Sequence, residues 1–364
     1  MKTFLAGTLL ALSATLCAAA QDAASLPDYR PEQRLSGVLR ASGNDQMAAL
    51  MARWARGFKA YHPDVSIETW LKGSGSGIYG LEMRSADIAL MGRPINPYER
   101  YGVYERAWVY PVEIEVATGS PAQPGKSPAY AVFVHKNNPL AKLTVQQLDG
   151  VFGAQRGGGW KALTWDESAA RGKDKNLRTW GQLGLTGPWA SRPLHVYGPP
   201  NLGAGTITYF QTKVMGGAAI FNEDLREYPD RRRMLADLAK DPDGIAYAAL
   251  GDRNDGVKPL ALAEAGGKPF VALTPQSVAQ RSYPLARPVY IYYTIDNEKT
   301  ELAEPRVTPL VREFLRYVLS RQGQQAVGQD GSYLPLPPAL AGEQLKKMAS
   351  QDIPPERKLL KDED

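Results

Sequence analysis

The chain has 364 residues, 43% hydrophobic and 22% charged, with a formal net charge of +5. That is globular material long enough for two domains, and its charge is too small and too scattered for the dense Lys/Arg stripe that neutralises a nucleic-acid backbone. The one cysteine, Cys17, lies in an N-terminal stretch that precedes the folded part, so disulfides and thiol chemistry are excluded as sources of stability or function.

That stretch, "MKTFLAGTLLALSATLCAAAQDAA", has a basic start at Lys2, an apolar run from Phe4 to Leu16, and small residues Ala18-Ala19-Ala20 before Gln21. The pattern predicts a secretory signal cleaved after Ala20, which takes the formal charge from +5 to +4 by removing Lys2. Leu16 stands where a lipoprotein signal needs a small residue, so no lipid anchor on Cys17 is expected. No other segment is apolar for long enough to span a bilayer.

Strand and helix patterns then alternate. "GVLRASG" (Gly37–Gly43) predicts a strand, and Met47, Leu50, Met51, Trp54 and Phe58 fall at helical spacing until Pro63 stops the helix. "VSIETWL" is the next strand, followed by the Gly/Ser loop "KGSGSG", a short helix from Ile78 to Ser85, and the strand Asp87–Met91. A second block opens with the buried strand Ala129–Val134 and continues through "TVQQLDGVF", "RPLHVYG", "TITYFQTKVM" and "GIAYAAL". The repeated β-loop-α pattern predicts an α/β fold of two blocks. "TGSPAQPGKSP" (Thr118–Pro128) links them, and "SYPLARPVYIYYTI" crosses back before a final helix "TPLVREFLRYVLSRQGQQAV". The charged, proline-broken end reads as a weakly packed tail.

The loop Gly75-Ser76-Gly77-Ile78-Tyr79-Gly80 formally matches the dinucleotide fingerprint. The helix behind it is too short, and the strand after it ends in Gly92-Arg93 rather than in an acid for a ribose, so a nucleotide is not expected there. Two readings stay open: an oxyanion cradle built from backbone N–H groups and the Ser74 and Ser76 hydroxyls, or a plain Ser/Gly turn with a capping serine. Two further strand-to-helix junctions have the same character, "ASGNDQ" around Asp45 and Gln46, and "PNLGAGTITYF" around Gly205 and Thr206. Arg93 is either an anion ligand or the partner of an acid such as Glu99. Arg253 and Lys72 read as solvated, and Arg231-Arg232-Arg233 as the solvated first turn of a helix. His62, His135 and His195 have no spacing for a metal or a nucleophilic triad, and no nucleophile–base pair or cofactor loop supports an enzyme.

The collinear order of "GSGSGIYGL…ADIALMGRP", "VFVHKNNPLAKLTVQQLDGVF", "GLTGPWASRPLHVYG", "GAGTITYF", "DPDGIAYAALG", "YPLARPVYIYY" and "FLRYVLSRQGQQAV" resembles the phosphate-binding proteins of bacterial phosphate ABC importers, within the type II periplasmic binding-protein superfamily. The resemblance covers about residues 36–338. It implies two Rossmann-like lobes joined by a two-strand hinge: residues 36–125 with 290–338, and 126–289, flanked by a signal at 1–20 and a tail at 339–364. It also implies an exported, periplasmic, monomeric binding protein with phosphate or a related oxyanion as ligand, an ABC permease as partner, and no cofactor, nucleic acid or membrane insertion. The implied ligand residues are Asp45, Gln46, Ser74, Gly75, Ser76, Gly77, Gly205 and Thr206, with Arg93 as substitute for a missing arginine. Three departures stand out: Ala204 replaces a serine, Pro199 and Pro200 occupy the arginine's place, and Gly92-Arg93 replaces an acid. They leave open a second reading in which the fold serves sensing, adhesion or partner binding without transport.

Overall fold

The computed structural model describes residues 25–107, 110–161, 164–200, 205–218, 220–264, 266, 268–295 and 307–349. Predictions about the signal segment and the last residues from 350 onward therefore lie outside the described residues. The chain divides into two units, one formed by residues up to Gly119 and from Pro288 onward, the other by Ser120–Arg287.

In the first unit β1 (Gly37–Gly43) leads through a 3-10 turn (Asp45–Met47) into α1 (Ala48–Tyr61), then β2 (Val65–Leu71), α2 (Ser74–Glu82), β3 (Ile88–Met91), α3 (Pro97–Ala107) and β4 (Val112–Thr118). The second unit runs β5 (Tyr130–His135), β6 (Lys142–Thr144), α4 (Val145–Phe152), β7 (Gly159–Lys161), β8 (Thr164–Asp166), β9 (His195–Gly198), α5 (Gly205–Val214), β10 (Arg226–Glu227), α6 (Arg231–Leu238), β11 (Gly244–Ala249), β12 (Val257–Pro259), β13 (Ala261–Ala263) and α7 (Pro275–Ala279). The chain returns to the first unit as β14 (Pro288–Tyr293), α8 (Pro309–Val318), α9 (Arg321–Asp330) and α10 (Pro338–Ala349).

The first sheet has the order β2-β1-β3-β14-β4 and the second the order β10-β9-β11-β5-β12. In the first, β1 is parallel to β2 and β3, while β14 is antiparallel to β3 and β4. In the second, β9 is parallel to β10 and β11, while β5 is antiparallel to β11 and β12. Strand for strand the scheme is the same. In each sheet the chain leaves a central parallel strand to one side and returns on the other, which makes a switch point where ligands bind outside the strands' carboxyl ends. Those ends are Gly43 and Met91 in the first unit, and Gly198 and Ala249 in the second.

The first core lies where α1, α8 and α9 cover the sheet: Trp54, Phe58, Phe314, Tyr317 and Val327 are buried with Leu39, Ile88 and Ile291. Each such side chain contributes about 1.5–3 kcal/mol on burial. Gly57 is required here, because a Cβ at that position would stand 1.8 Å from the Tyr317 hydroxyl. Trp54 closes the contact by donating its indole N–H to the Gly323 carbonyl at 3.0 Å. Beside them Tyr29 donates to Glu313 Oε2 at 2.7 Å, with His62 Nε2 2.6 Å from the same hydroxyl. Burial lowers the His62 pKa, and because Tyr29 gives its proton to Glu313, it is the His62 Nε2–H that donates to Tyr29. In the second core Phe210 stacks on Tyr247 with centroids 3.8 Å apart, and Phe152 meets both rings edge-on.

Three local expectations are corrected. The "KGSGSG" segment is not a loop before a helix starting at Ile78: α2 begins at Ser74, so the glycines and serines form its first turn. The final long helix is two helices, broken at Leu319 and restarted by Ser320, whose hydroxyl caps Gly323 N–H. The tail from residue 339 is not weakly packed over its described part: in α10 Ala341 and Met348 are buried and Gln344 Oε1 accepts from Glu115 N–H at 3.0 Å.

Candidate oxyanion site

At the first unit's switch point three strand ends contribute. After β1, Gly43 has φ of 128° and its Cα face lies against Leu90, where any Cβ would strike the carbonyl oxygen at 2.2 Å. Asn44 then donates its N–H to that carbonyl at 2.8 Å, and its Oδ1 accepts from Gln46 N–H at 3.1 Å. The Gln46 N–H is thereby used internally, and the Gln46 carbonyl accepts from Tyr333. Asp45, exposed, opens the 3-10 turn. Asn44 is the residue that the sequence reading missed; its signal was an Asx side chain directly before a helical start.

After β2, Gly73 has φ of 96° and stands at the N-cap of α2, where no side chain caps the helix. The first N–H groups of an α-helix have no intrahelical acceptor, and they carry the positive end of the helix dipole. The two serines play different parts. Ser76 donates to the Gly73 carbonyl at 2.8 Å and accepts from Lys72 N–H at 3.3 Å, so its hydroxyl locks the turn. Ser74 accepts from Gly92 N–H at 3.1 Å, which leaves its own proton for an outside acceptor. The glycines differ as well. A Cβ on Gly75 would meet nothing within 4 Å, whereas one on Gly77 would stand 3.0 Å from the Ala89 Cβ and 3.1 Å from the Gly43 Cα. Gly75 thus faces open space, and Gly77 lets α2 lie close on β1 and β3.

The second unit's switch point has the corresponding parts. Gly205 and Thr206 form the first turn of α5 after β9, while residues 201–204 lie outside the described ones. The helix after β10 is α6, and here Asp230 caps it, with its carboxylate accepting from Arg232 N–H at 2.8 Å and Arg233 N–H at 3.1 Å. After β11 a 3-10 turn, Leu250–Asp252, buries the Asp252 carboxyl, and burial raises its pKa.

The description "PBP superfamily domain" belongs to the family model that matches residues 29–322. The phosphate-binding protein PstS of Pseudomonas aeruginosa is 33% identical over 346 residues, covering 95% of this chain and 96% of that one. The chain belongs to the PBP superfamily, among its PstS-like phosphate-binding proteins. A PstS of Staphylococcus aureus is 25% identical, covering 83% of this chain and 80% of that one. Among solved structures, PstS from Borrelia burgdorferi superposes with a TM-score of 0.53 at 15% identity over 83% of this chain and 99% of that one. An ABC-type phosphate transport receptor from Vibrio cholerae gives 0.52 at 17% identity over 81% and 99%. These structures carry the fold alone, and it is the type II binding-protein fold expected from the sequence. The PstS-like family consists of binding proteins rather than enzymes.

Within this PstS-like frame Arg93 is already occupied. Its Nη1 donates to Glu99 Oε2 at 2.7 Å and to the Pro94 carbonyl at 2.9 Å, its Nη2 donates to Glu99 Oε1 at 2.5 Å, and the residue is only 4% exposed. Asn96 and Glu99 exchange hydrogen bonds around this pair, forming the cap of α3. The guanidinium fork is thus turned to Glu99, the alternative that the sequence left open. His195 sits 2.7 Å from Asp241, which also accepts from Tyr197 and Arg226, and Asp243 is paired with Arg192. Two guanidinium groups therefore answer these two carboxylates.

Proposed function

We propose that the protein captures phosphate, or a related tetrahedral oxyanion, in the periplasm and delivers it to the permease of an ABC importer. The observation that carries this reading is the start of α2: among the described residues, a helix N-terminus with no side-chain cap, an open glycine, and a serine hydroxyl whose proton has no acceptor. Backbone N–H groups there offer donors to oxyanion oxygens at no cost of reorganisation, and the helix dipole favours the negative charge. In this reading Ser74 and Gly75 supply the first unit's donors together with the Asp45 turn, Ser76 holds that helix start through its hydroxyl and N–H on the Gly73 carbonyl, and Gly205 and Thr206 supply the donors of the second. Gly77 acts by packing, and Arg93 by holding the loop that follows β3. Membership of the PstS-like family supports phosphate over other anions, and the names of its relatives support the transport role.

Calorimetric titration of the mature protein with phosphate, and separately with sulfate, tests the reading. Saturable binding of one phosphate per chain, with sulfate weaker, is the expected result. Absence of any phosphate heat or of a phosphate-induced rise in melting temperature would overturn it.

A further inference from the structure

A positive charge at either switch point would strengthen its hold on a dianion, and the obvious cations differ in what they already do. Arg93 is spent on Glu99. Lys72 is exposed. In the second unit Arg231 is the first residue of α6, the place that Ser74 holds in α2. Its position is fixed by the chain before it, where Tyr228 N–H donates to the carbonyl of Gly198 at 2.9 Å, at the carboxyl end of β9.

Arg231 is half-buried, and among the described residues its side chain makes no hydrogen bond and no ion pair. A guanidinium carries five donors, and withdrawing part of it from water without acceptors is unfavourable. Nearby stand two buried polar atoms that also have no partner among the described residues, Asp252 Oδ2 and the Tyr247 hydroxyl. Asp252 is only 9% exposed, and Arg231 is the strongest of the charges acting on it. The acid and the cation therefore feel each other without touching. An arginine near a carboxylate that it does not engage keeps its fork free for a third group.

We infer that Arg231 is the second unit's ligand for the bound oxyanion and that Asp252 is a positioning residue that orients its guanidinium. The inference rests on the phosphate-binding reading above. It fits an anion with at least two oxygens presented side by side, which a planar fork engages bidentately, and which phosphate, arsenate and sulfate all offer. The unpaired cation is then explained, and the acid cap on α6 leaves Arg231 as the donor at that helix start.

The test is calorimetry with phosphate on the mature protein and on Arg231→Ala, Arg231→Lys and Arg233→Ala, with ligand-free melting temperatures alongside. Arg231→Ala is expected to weaken phosphate binding about tenfold to a hundredfold with little change in ligand-free melting, Arg231→Lys to recover part of the loss, and Arg233→Ala to bind as the parent. Asp252→Asn separates positioning from plain electrostatics, since removal of a negative charge by itself favours an anion. A drop in affinity that disappears when Arg231 is already alanine supports the positioning role; a gain, or the same drop in both backgrounds, overturns it. Parent-like affinity in Arg231→Ala, with or without a fall in melting temperature, overturns the ligand assignment while leaving phosphate binding intact. A parent that binds neither phosphate, arsenate nor sulfate removes the functional reading and this inference together.

Discussion

The two units place equivalent helices after equivalent strands, α2 after β2 and α6 after β10, and then start them with opposite chemistry. The first begins Gly73-Ser74-Gly75-Ser76 without a side-chain cap, and the second begins Asp230-Arg231 with a carboxylate on two of its N–H groups. A shared topology thus delivers a helix N-terminus to each switch point, but sequence decides whether its donors are kept for a ligand or used by the chain itself. On the proposed reading, the first edge would meet an anion mainly with backbone donors and a serine. The second closes the helix internally and, on the inference above, presents a side-chain cation instead.

The largest expected effect concerns Arg93, because the comparison treats it as structure and not as ligand. Arg93→Ala leaves Glu99 as an uncompensated, mostly buried carboxylate and removes the clamp on the cap of α3. A loss of about 3 kcal/mol of stability in denaturant unfolding is expected, with phosphate affinity of the folded protein nearly unchanged. Loss of affinity without loss of stability would return Arg93 to the ligand set and break the comparison at its first edge.

The next effect sharpens the claim that the start of α2 is open. Gly75→Asp places a carboxylate in the first turn of α2 where nothing lies within 4 Å, so it fits without strain and sets a negative charge against the positive end of the helix. Ligand-free stability should hold or rise by about 0.3–1 kcal/mol, while phosphate affinity should fall by about a hundredfold or more, roughly 2.7 kcal/mol, as the carboxylate takes the donors and repels the anion. Calorimetry and thermal melting on one preparation check both signs. The same substitution at Gly77 would not be informative, because the new side chain would collide with Ala89 and Gly43.

What the sequence made legible was the periodic part. Gly37–Gly43, Val65–Leu71 and the helix carrying Trp54 and Phe58 were readable because alternation and helical spacing are local properties. The first turn of α2 was misread as loop, since two glycines and two serines have poor helix propensity. They are helical because Gly77 and Gly80 let the helix rest on β1 and β3, a tertiary fact: a Cβ on Gly80 would stand 2.1 Å from Ser42 Oγ. The role of Asn44 could have been read from its place before a helical start. Arg231 could not. Inside a run of three arginines it looks solvated, and the half-burial that sets it apart from Arg232 and Arg233 comes from the tertiary fold.

The smallest effect tests the second edge. Asp230→Ala removes the cap from α6 and should cost about 1 kcal/mol of stability, the usual loss for an acid at this position. It also removes a negative charge beside Arg231 and frees two N–H groups at the helix start. If α6 uses its N-terminus internally only because Asp230 occupies it, phosphate affinity should rise by about two- to fivefold, since a charge at a helix end is worth about 0.3–1 kcal/mol. The two effects oppose each other in sign, so a general loosening of the fold cannot imitate them. A fall in affinity would mean that the cap holds Arg231 in place and that the acid belongs with Asp252 to the machinery that orients the cation. Unchanged affinity in both Asp230→Ala and Arg231→Ala would remove the second edge from anion recognition and leave the open turn at Ser74 to account for binding alone.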